Sequence, residues 1–142
     1  MRQAKASSCH IVLSRHGCNL NLQEYLDDIT TPLDATCPVC AEILSCRFTF
    51  ALHLPLITIE LHEDASTLEE LDITSGNVRR RYHLRGLIYN AAEHFTARFI
   101  ARSGMVWYHD GLLTGRSLVY EGMVQNGIPR ENPIVGLYVR SE

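Results

Sequence analysis

The chain has 142 residues, 46% of them hydrophobic and 20% charged, an ordinary composition for one soluble globular domain, expected over residues 1–142. A net charge of −3 offers no electrostatic footprint for nucleic acid or an anionic membrane, so neither is an expected partner. No apolar run approaches membrane-spanning length, the N-terminal MRQAKASSCH lacks the apolar segment of a signal peptide, and the cysteines number five, an odd count. The expectation is an intracellular protein, of cytoplasm or nucleus, whose cysteines are free thiols or metal ligands rather than a disulfide framework.

Residues 1–8 are polar and read as a frayed end. The run CHIVLS from Cys9 is a short strand candidate, with Ile11 and Leu13 on one face, and Arg15-His16-Gly17 breaks it. Residues 19–29 read as a helix: Leu22, Tyr25, Leu26 and Ile29 form an apolar stripe at helical spacing. Asn19 or Asn21 can cap that helix, and Thr30-Thr31-Pro32 ends it. Thr36-Cys37-Pro38-Val39-Cys40 is a knuckle. From Leu44 to Leu52 apolar and polar residues alternate, as in a strand with one buried face. Pro55 separates it from a β-branched strand over residues 56–61. Residues 62–70 are acidic and loop-like, Ser75-Gly76-Asn77 signals a turn, and Arg79-Arg80-Arg81 reads as the solvated start of the next strand.

The stretch 82–111, YHLRGLIYNAAEHFTARFIARSGMVWYHDG, organises the rest and reads as three consecutive strands. Tyr82, Leu84, Leu87, Ile88 and Tyr89 mark the first. In the second, Phe95, Ala97, Phe99 and Ala101 alternate with Thr96, Arg98, Ile100 and Arg102, which is strand period. Ser103-Gly104 reads as a two-residue hairpin turn, after which Met105 to Tyr108 run back. On that register Asp110 stands opposite Ala97, with His94 three residues further along the strand, at the open end of the hairpin. A His and an Asp placed there can meet, and a carboxylate that orients an imidazole makes it a directed base. A long Gly- and Pro-bearing connection over 111–133 follows, with brief pairing expected at Leu118 to Tyr120, and residues 134–140 form a last strand. The elements sum to an α+β fold: one short N-terminal helix and a bent antiparallel sheet of about six strands.

The residues of this stretch carry a family likeness. Tyr-x-Leu-x-Gly-Leu-Ile-Tyr from Tyr82, His-Phe-Thr-Ala-Arg from His94 and Val-Trp-Tyr-x-Asp ending at Asp110 resemble the C-terminal part of ubiquitin-specific proteases, which are papain-like cysteine peptidases. The runs of residues 54–61 and 135–140 are similar to that family's flanking strands, so the resemblance covers roughly the last two thirds of the chain. His-Phe-Thr and Trp-Tyr-x-Asp-Gly bring it closer still to peptidase-like segments of fungal transposon-associated proteins. The resemblance implies a papain-like palm, with His94 and Asp110 at the positions of the catalytic His and of the third triad member. Two positions depart from the pattern: Glu93 replaces the Gly before the His, and the pair of Asp residues after the Trp is reduced to Asp110-Gly111. A full ubiquitin-specific protease is more than twice as long, with its nucleophile far upstream of the His, so the chain is expected to correspond to its C-terminal half.

Cys18 is the nucleophile candidate, because it precedes the first helix, where the dipole favours a thiolate. Cys18-x-x-Asn21 with Gln23 also echoes the family's Cys-x-x-Asn-x-x-x-Gln run, with the Gln out of step. In the competing alignment, residues 19–29 resemble the short helix before the family's second Cys-x-x-Cys, Cys18 is incidental, and the nucleophile lies outside this chain. Cys46, on an apolar strand face, reads as packing. Cys37-x-x-Cys40 has the spacing of half a zinc knuckle, and the family's fingers use two such pairs. Cys9, His10, His16 or Cys18 would have to complete a structural zinc site; otherwise the pair is a relic with two reduced thiols and the chain has no cofactor. His53, His62, His83 and His109 show no ligand spacing.

Three functional readings follow. The favoured one is a truncated, non-catalytic ubiquitin-specific-protease-like domain that binds a ubiquitin-like or other protein. The alternative is a thiol-dependent deubiquitinase using Cys18, His94 and Asp110. In the third, the chain completes an active site with another polypeptide. A half-sheet with an exposed apolar edge also suits self-association.

Overall fold

The computed structural model describes residues 8–12, 22–27, 30–47, 54–61, 68–91, 94–126 and 133–142. They form ten strands and one six-residue helix: β1 Ser8–Val12, α1 Leu22–Asp27, β2 Thr30–Thr36, β3 Ile43–Arg47, β4 Leu56–Glu60, β5 Glu70–Ser75, β6 Val78–Ala91, β7 His94–Ile100, β8 Met105–Asp110, β9 Val119–Met123 and β10 Val135–Arg140. A single 3-10 turn, Val124–Asn126, follows β9. Eight strands make the main sheet in the order β1-β4-β10-β6-β7-β8-β9, with β5 also paired to β6, while β2 and β3 form a separate two-stranded sheet. Among the described strands only β1 runs parallel to its neighbour; every other pairing is antiparallel.

This corrects the expected α+β fold with about six strands and a papain-like palm; of the helix expected over 19–29, residues 19–21, 28 and 29 lie outside the described residues. Described helix is confined to Leu22–Asp27. From Thr30 the chain is already extended, as Pro32 demands of the residue before it, and there it builds β2 instead of a loop. β5 was also unforeseen: Glu70–Ser75 pairs along β6 through the tight turn at Gly76, whose φ is +59°. An acidic composition obscured it, yet its acids face arginines. Asp72 pairs with both Arg79 and Arg81, and Glu70 with Arg81, so two arginines of the basic triplet serve the hairpin.

β6 is the spine. Over Gly86–Ile88 it pairs with β10 and β7 at once, so these lie on its opposite edges. Around Tyr82 and His83 it pairs with β10 and β5, which places β5 end to end with β7 on the same edge. The core gathers on one face: Ile57 and Ile59 of β4, Leu71 and Ile73 of β5, Tyr82, Leu84, Leu87 and Tyr89 of β6, Ile100 of β7 and Tyr138 of β10. Each buried Leu or Ile contributes about 1.5–3 kcal/mol. Helix α1 adds Leu22 and Leu26 to this core. It is pinned by Gln23, whose carboxamide accepts from the Asp72 N–H at 2.9 Å and donates to the Asp72 carbonyl at 2.6 Å. Two of the buried tyrosines hold their hydroxyls to backbone carbonyls, Tyr82 to Leu54 at 2.9 Å and Tyr138 to Leu68 at 3.0 Å. Among the described residues no helix is long and apolar enough to cross a membrane.

Candidate functional site

The β7–β8 hairpin creates the site, and its turn differs from the expected two-residue form. Ala101 N–H donates to the Met105 carbonyl and Gly104 N–H to the Ala101 carbonyl, each at 2.9 Å, so the loop spans three residues, 102–104. Gly104 takes the left-handed position at φ +84°. The longer loop shifts the pairing by one, and Thr96, not Ala97, stands opposite Asp110. Because faces alternate along a strand, His94 then shares a face with Thr96 and Asp110. On the expected register the two would have pointed to opposite faces.

His94 begins β7 and Asp110 ends β8, a diagonal pair that a histidine ring can span. His94 Nε2 lies 3.2 Å from Asp110 Oδ2. The Asp110 side chain is buried, with 2% exposure, against 31% for His94. The two carboxylate oxygens divide their work. Oδ1 accepts the backbone N–H groups of Leu112 at 2.8 Å and Leu113 at 3.1 Å, as a helix-capping Asp would. Oδ2 accepts from His94 and, at 3.2 Å, from the Tyr108 hydroxyl. Thr114 closes the loop by donating its hydroxyl to the Asp110 carbonyl at 2.7 Å and accepting from the Asp110 N–H at 3.1 Å.

Burial by itself would push the Asp110 carboxyl up, but the Leu113 and Leu112 N–H groups, His94 and Tyr108 together hold it below the usual carboxylate range. An ionised Asp110 assigns the ring proton of neutral His94 to Nε2, where it is donated, and leaves Nδ1 as the basic nitrogen. Burial and the neighbouring Asp110 charge raise the Tyr108 phenol, which therefore stays a donor.

Beneath this pair lies a buried cation. Arg98, on the same face of β7, is 5% exposed. Its guanidinium meets Glu121 in a fork, Nε to Oε2 at 2.7 Å and Nη2 to Oε1 at 3.2 Å, and lies over the rings of Tyr89 and Tyr108 at 4.8 and 5.2 Å. The β8–β9 register slips at this point: Val106 faces Gly122 while Trp107 faces Tyr120, so Glu121 is the extra residue of a bulge. Burial opposes the Arg98 charge, yet Glu121 and Tyr89 outweigh it and the group stays charged. Sequence reasoning did not assign Tyr108, Thr114, Arg98 or Glu121 to the site. Arg98 alternating with Phe95 and Phe99 was the available signal, but the faces are the reverse of a simple apolar-in pattern: Phe95 is 64% and Phe99 45% exposed.

Cys18 and Glu93 fall outside the described residues, as do His10's side chain, His16, His53 and His62. Cys37 and Cys40 flank the tip of the β2–β3 hairpin as free thiols. Cys37 N–H donates to the Glu42 carbonyl at 2.8 Å, Ala41 N–H to the Cys37 carbonyl at 2.9 Å, and Ala41 takes φ +59°. The N–H groups of Cys40 and Val39 turn toward the Cys37 sulfur and favour its thiolate form. That arrangement fits half of a tetrahedral thiolate site. Among the described residues no group of three or more metal-ligating side chains occurs.

In sequence comparisons no family model and no curated protein matches the chain. Solved structures do share its fold. A chain of the SAGA Ubp8/Sgf11/Sus1/Sgf73 DUB module bound to ubiquitin aldehyde superposes with a TM-score of 0.63 at 12% identity, covering 95% of this chain and 36% of its own. The same module bound to monoubiquitin gives 0.58 at 11% identity, over 95% and 35%. A yeast SAGA DUB module carrying a substitution in Sgf73 gives 0.57 at 12% identity, over 95% and 35%. This chain thus spans little more than a third of each neighbour's length, and what it has in common with these deubiquitinating modules is the fold of that third.

Proposed function

We propose that residues 1–142 form one ubiquitin-specific-protease-like domain that binds a ubiquitin-like or other protein and is not a peptidase on its own. The observation that carries this reading is that the His94–Asp110 pair sits in a chain that spans little more than a third of each neighbour's length. Cys9 lies on β1, four strand positions from β7, which at the usual spacing is about 19 Å. Cys46 lies on β3 of the separate two-stranded sheet, and Cys37 and Cys40 lie in the turn that joins its strands. A ubiquitin-like partner is supported by the neighbours bound to ubiquitin aldehyde and monoubiquitin. His-Phe-Thr and Trp-Tyr-x-Asp-Gly support the narrower kinship with fungal transposon-associated segments, and the free thiols Cys37 and Cys40 accord with an intracellular setting.

The integrity of the pair favours a second reading, a thiol peptidase. There His94 Nδ1 would take the proton of a thiol from Cys18, or from another chain, as the thiolate attacks a carbonyl carbon. The same nitrogen would return the proton to the departing amine, with Asp110 keeping the ring in place. A ubiquitin carrying a C-terminal thiol-reactive electrophile separates the readings. Slow labelling spread over exposed cysteines, together with reversible ubiquitin binding, is expected. Rapid labelling of Cys18 that vanishes in His94→Ala would establish the peptidase instead.

A further inference from the structure

We propose that the start of β6 and the end of β10 form an anion site, built from Arg79, Arg80, Arg81, Arg140 and Ser141, that binds a phosphate monoester carried by a protein partner. Glu142 completes the lining of this pocket of about 410 Å³. Strand pairing gathers the cations. Arg80 stands opposite Ile73 of β5, and Arg140 opposite Tyr82 of β6. Ile73 and Tyr82 are both buried, so Arg80 and Arg140 share their face of the sheet on adjacent strands. Arg79 and Arg81 alternate to the other face, where Asp72 holds both and Glu70 also holds Arg81. Arg80 takes part in none of these pairs. The carboxylate on the lining, Glu142, is held to Arg102 at 2.9 Å.

Ser141 is a second, independent sign of a ligand. Its N–H donates to the Arg81 carbonyl at 2.8 Å, while its hydroxyl oxygen is buried and has no hydrogen-bond partner among the described residues. Such orphans are rare in folded proteins. This one lies in the lining of a basic pocket, where an anion's oxygen would accept from it. Charge selects the anion. A carboxylate brings one negative charge, which Asp72, Glu70 and Glu142 already offer to their arginines. A phosphate monoester brings about −1.5 to −2 and three acceptor oxygens. Those oxygens suffice for the guanidinium groups of Arg80 and Arg140 and the Ser141 hydroxyl together, and a guanidinium fork matches phosphate geometry. The chain's net charge of −3 disfavours a phosphate polymer, so a single phosphate on a protein is the better fit. That a protein carries it rests on the protein-binding reading above; the site itself does not. It lies eleven residues along β6 from Ala91, the partner of His94, or about 36 Å of strand, so both ends of the sheet can be engaged at once.

The test is isothermal titration calorimetry on the whole chain with an alanine-flanked phosphoserine peptide. The unphosphorylated peptide, its glutamate counterpart and inorganic phosphate are run beside it. One phosphopeptide is expected per chain, bound more tightly than any of the other probes. Arg80→Gln and Arg140→Gln should each weaken it about tenfold, and Ser141→Ala by a smaller factor. Arg80 is exposed and outside the ion pairs of the hairpin, so Arg80→Gln should leave the denaturant midpoint unchanged. Arg116→Gln, which removes an exposed charge elsewhere, should leave binding unchanged. Equal losses for Arg116→Gln and Arg80→Gln would overturn the proposal by reducing it to net charge. Equal binding of the glutamate peptide would overturn the choice of phosphate. Inorganic phosphate bound as tightly as the peptide would overturn the protein source, and no binding of any probe would overturn the site. Ubiquitin binding is measured separately, so failure here is distinct from failure of the protein-binding reading.

Discussion

His94 and Asp110 share one face of the sheet because Thr96 lies opposite Asp110 across the β7–β8 hairpin, and the 3.2 Å contact between Nε2 and Oδ2 follows from that pairing. The turn that sets the pairing lies at the other end of the same two strands. A loop shorter by one residue would send the imidazole and the carboxylate to opposite faces.

Gly104 is therefore a residue on which the site depends at a distance. Its φ of +84° is unfavourable for any side chain, and a Cβ would sit 3.4 Å from both Met123 Cε and Val124 Cγ1. Gly104→Ala is expected to cost about 1–2 kcal/mol in chemical denaturation. It should also broaden or shift the His94 ring signals in NMR, which a substitution with merely local effects at the turn would leave unchanged.

The Asp110 carboxyl titrates below its ordinary range in the folded chain, so it binds fewer protons folded than unfolded. The stability it contributes is present above its unfolded pKa, about 4, and is lost as pH falls through the lower folded value. Asp72, depressed chiefly by its hydrogen bond with Arg81 and also by Arg79, acts with the same sign. Asp110→Asn should therefore flatten, but not abolish, the loss of stability between about pH 5 and pH 2. Equal slopes for wild type and variant in urea titrations across that range would refute the assignment.

Arg98 and Glu121 test the buried charge beneath the pair. Removing Glu121 leaves a guanidinium that is 5% exposed without its carboxylate. Breaking a wholly buried pair costs about 3–5 kcal/mol; Glu121 keeps some access to water, so Glu121→Ala is expected to cost about 2–3 kcal/mol. The double variant Arg98→Met with Glu121→Leu should be less damaging than Glu121→Ala alone, a comparison readable from denaturant midpoints.

Gly136 and Tyr138 occupy the same strand and face, and the tyrosine ring folds back over the glycine. A Cβ on Gly136 would fall 2.9 Å from Tyr138 Cε2. The ring cannot yield easily, since it is fully buried and its hydroxyl is held by the Leu68 carbonyl. Gly136→Ala is expected to cost about 1–3 kcal/mol by overpacking. Added to Tyr138→Leu, the same change should cost less, a non-additivity measurable in a double-mutant cycle.

Local pattern was enough to mark β7, β8 and β10, since apolar alternation along a strand reports which residues share a face. It also placed His94 and Asp110 at the same end of one hairpin, because both end strands, although the register read from it sent the two to opposite faces. Other features depended on partners remote in the chain. Ser103-Gly104 could close a loop of two residues or three, and the Ala101–Met105 pairing decided for three. The alternation along β7 does not say which face is buried: Phe95 and Phe99 are exposed, and Thr96 and Arg98 are inside. Glu121, brought to Arg98 by a bulge two strands away, and the rings of Tyr89 and Tyr108 make a buried guanidinium tolerable. β5 escaped notice because its acids are matched by arginines across the Gly76 turn, and charge alone cannot distinguish a solvated loop from a charge-paired edge strand. A strand's own residues restrict it to two faces, but the burial of one face, and the register that aims each side chain, are set by contacts with neighbours that the local sequence does not contain.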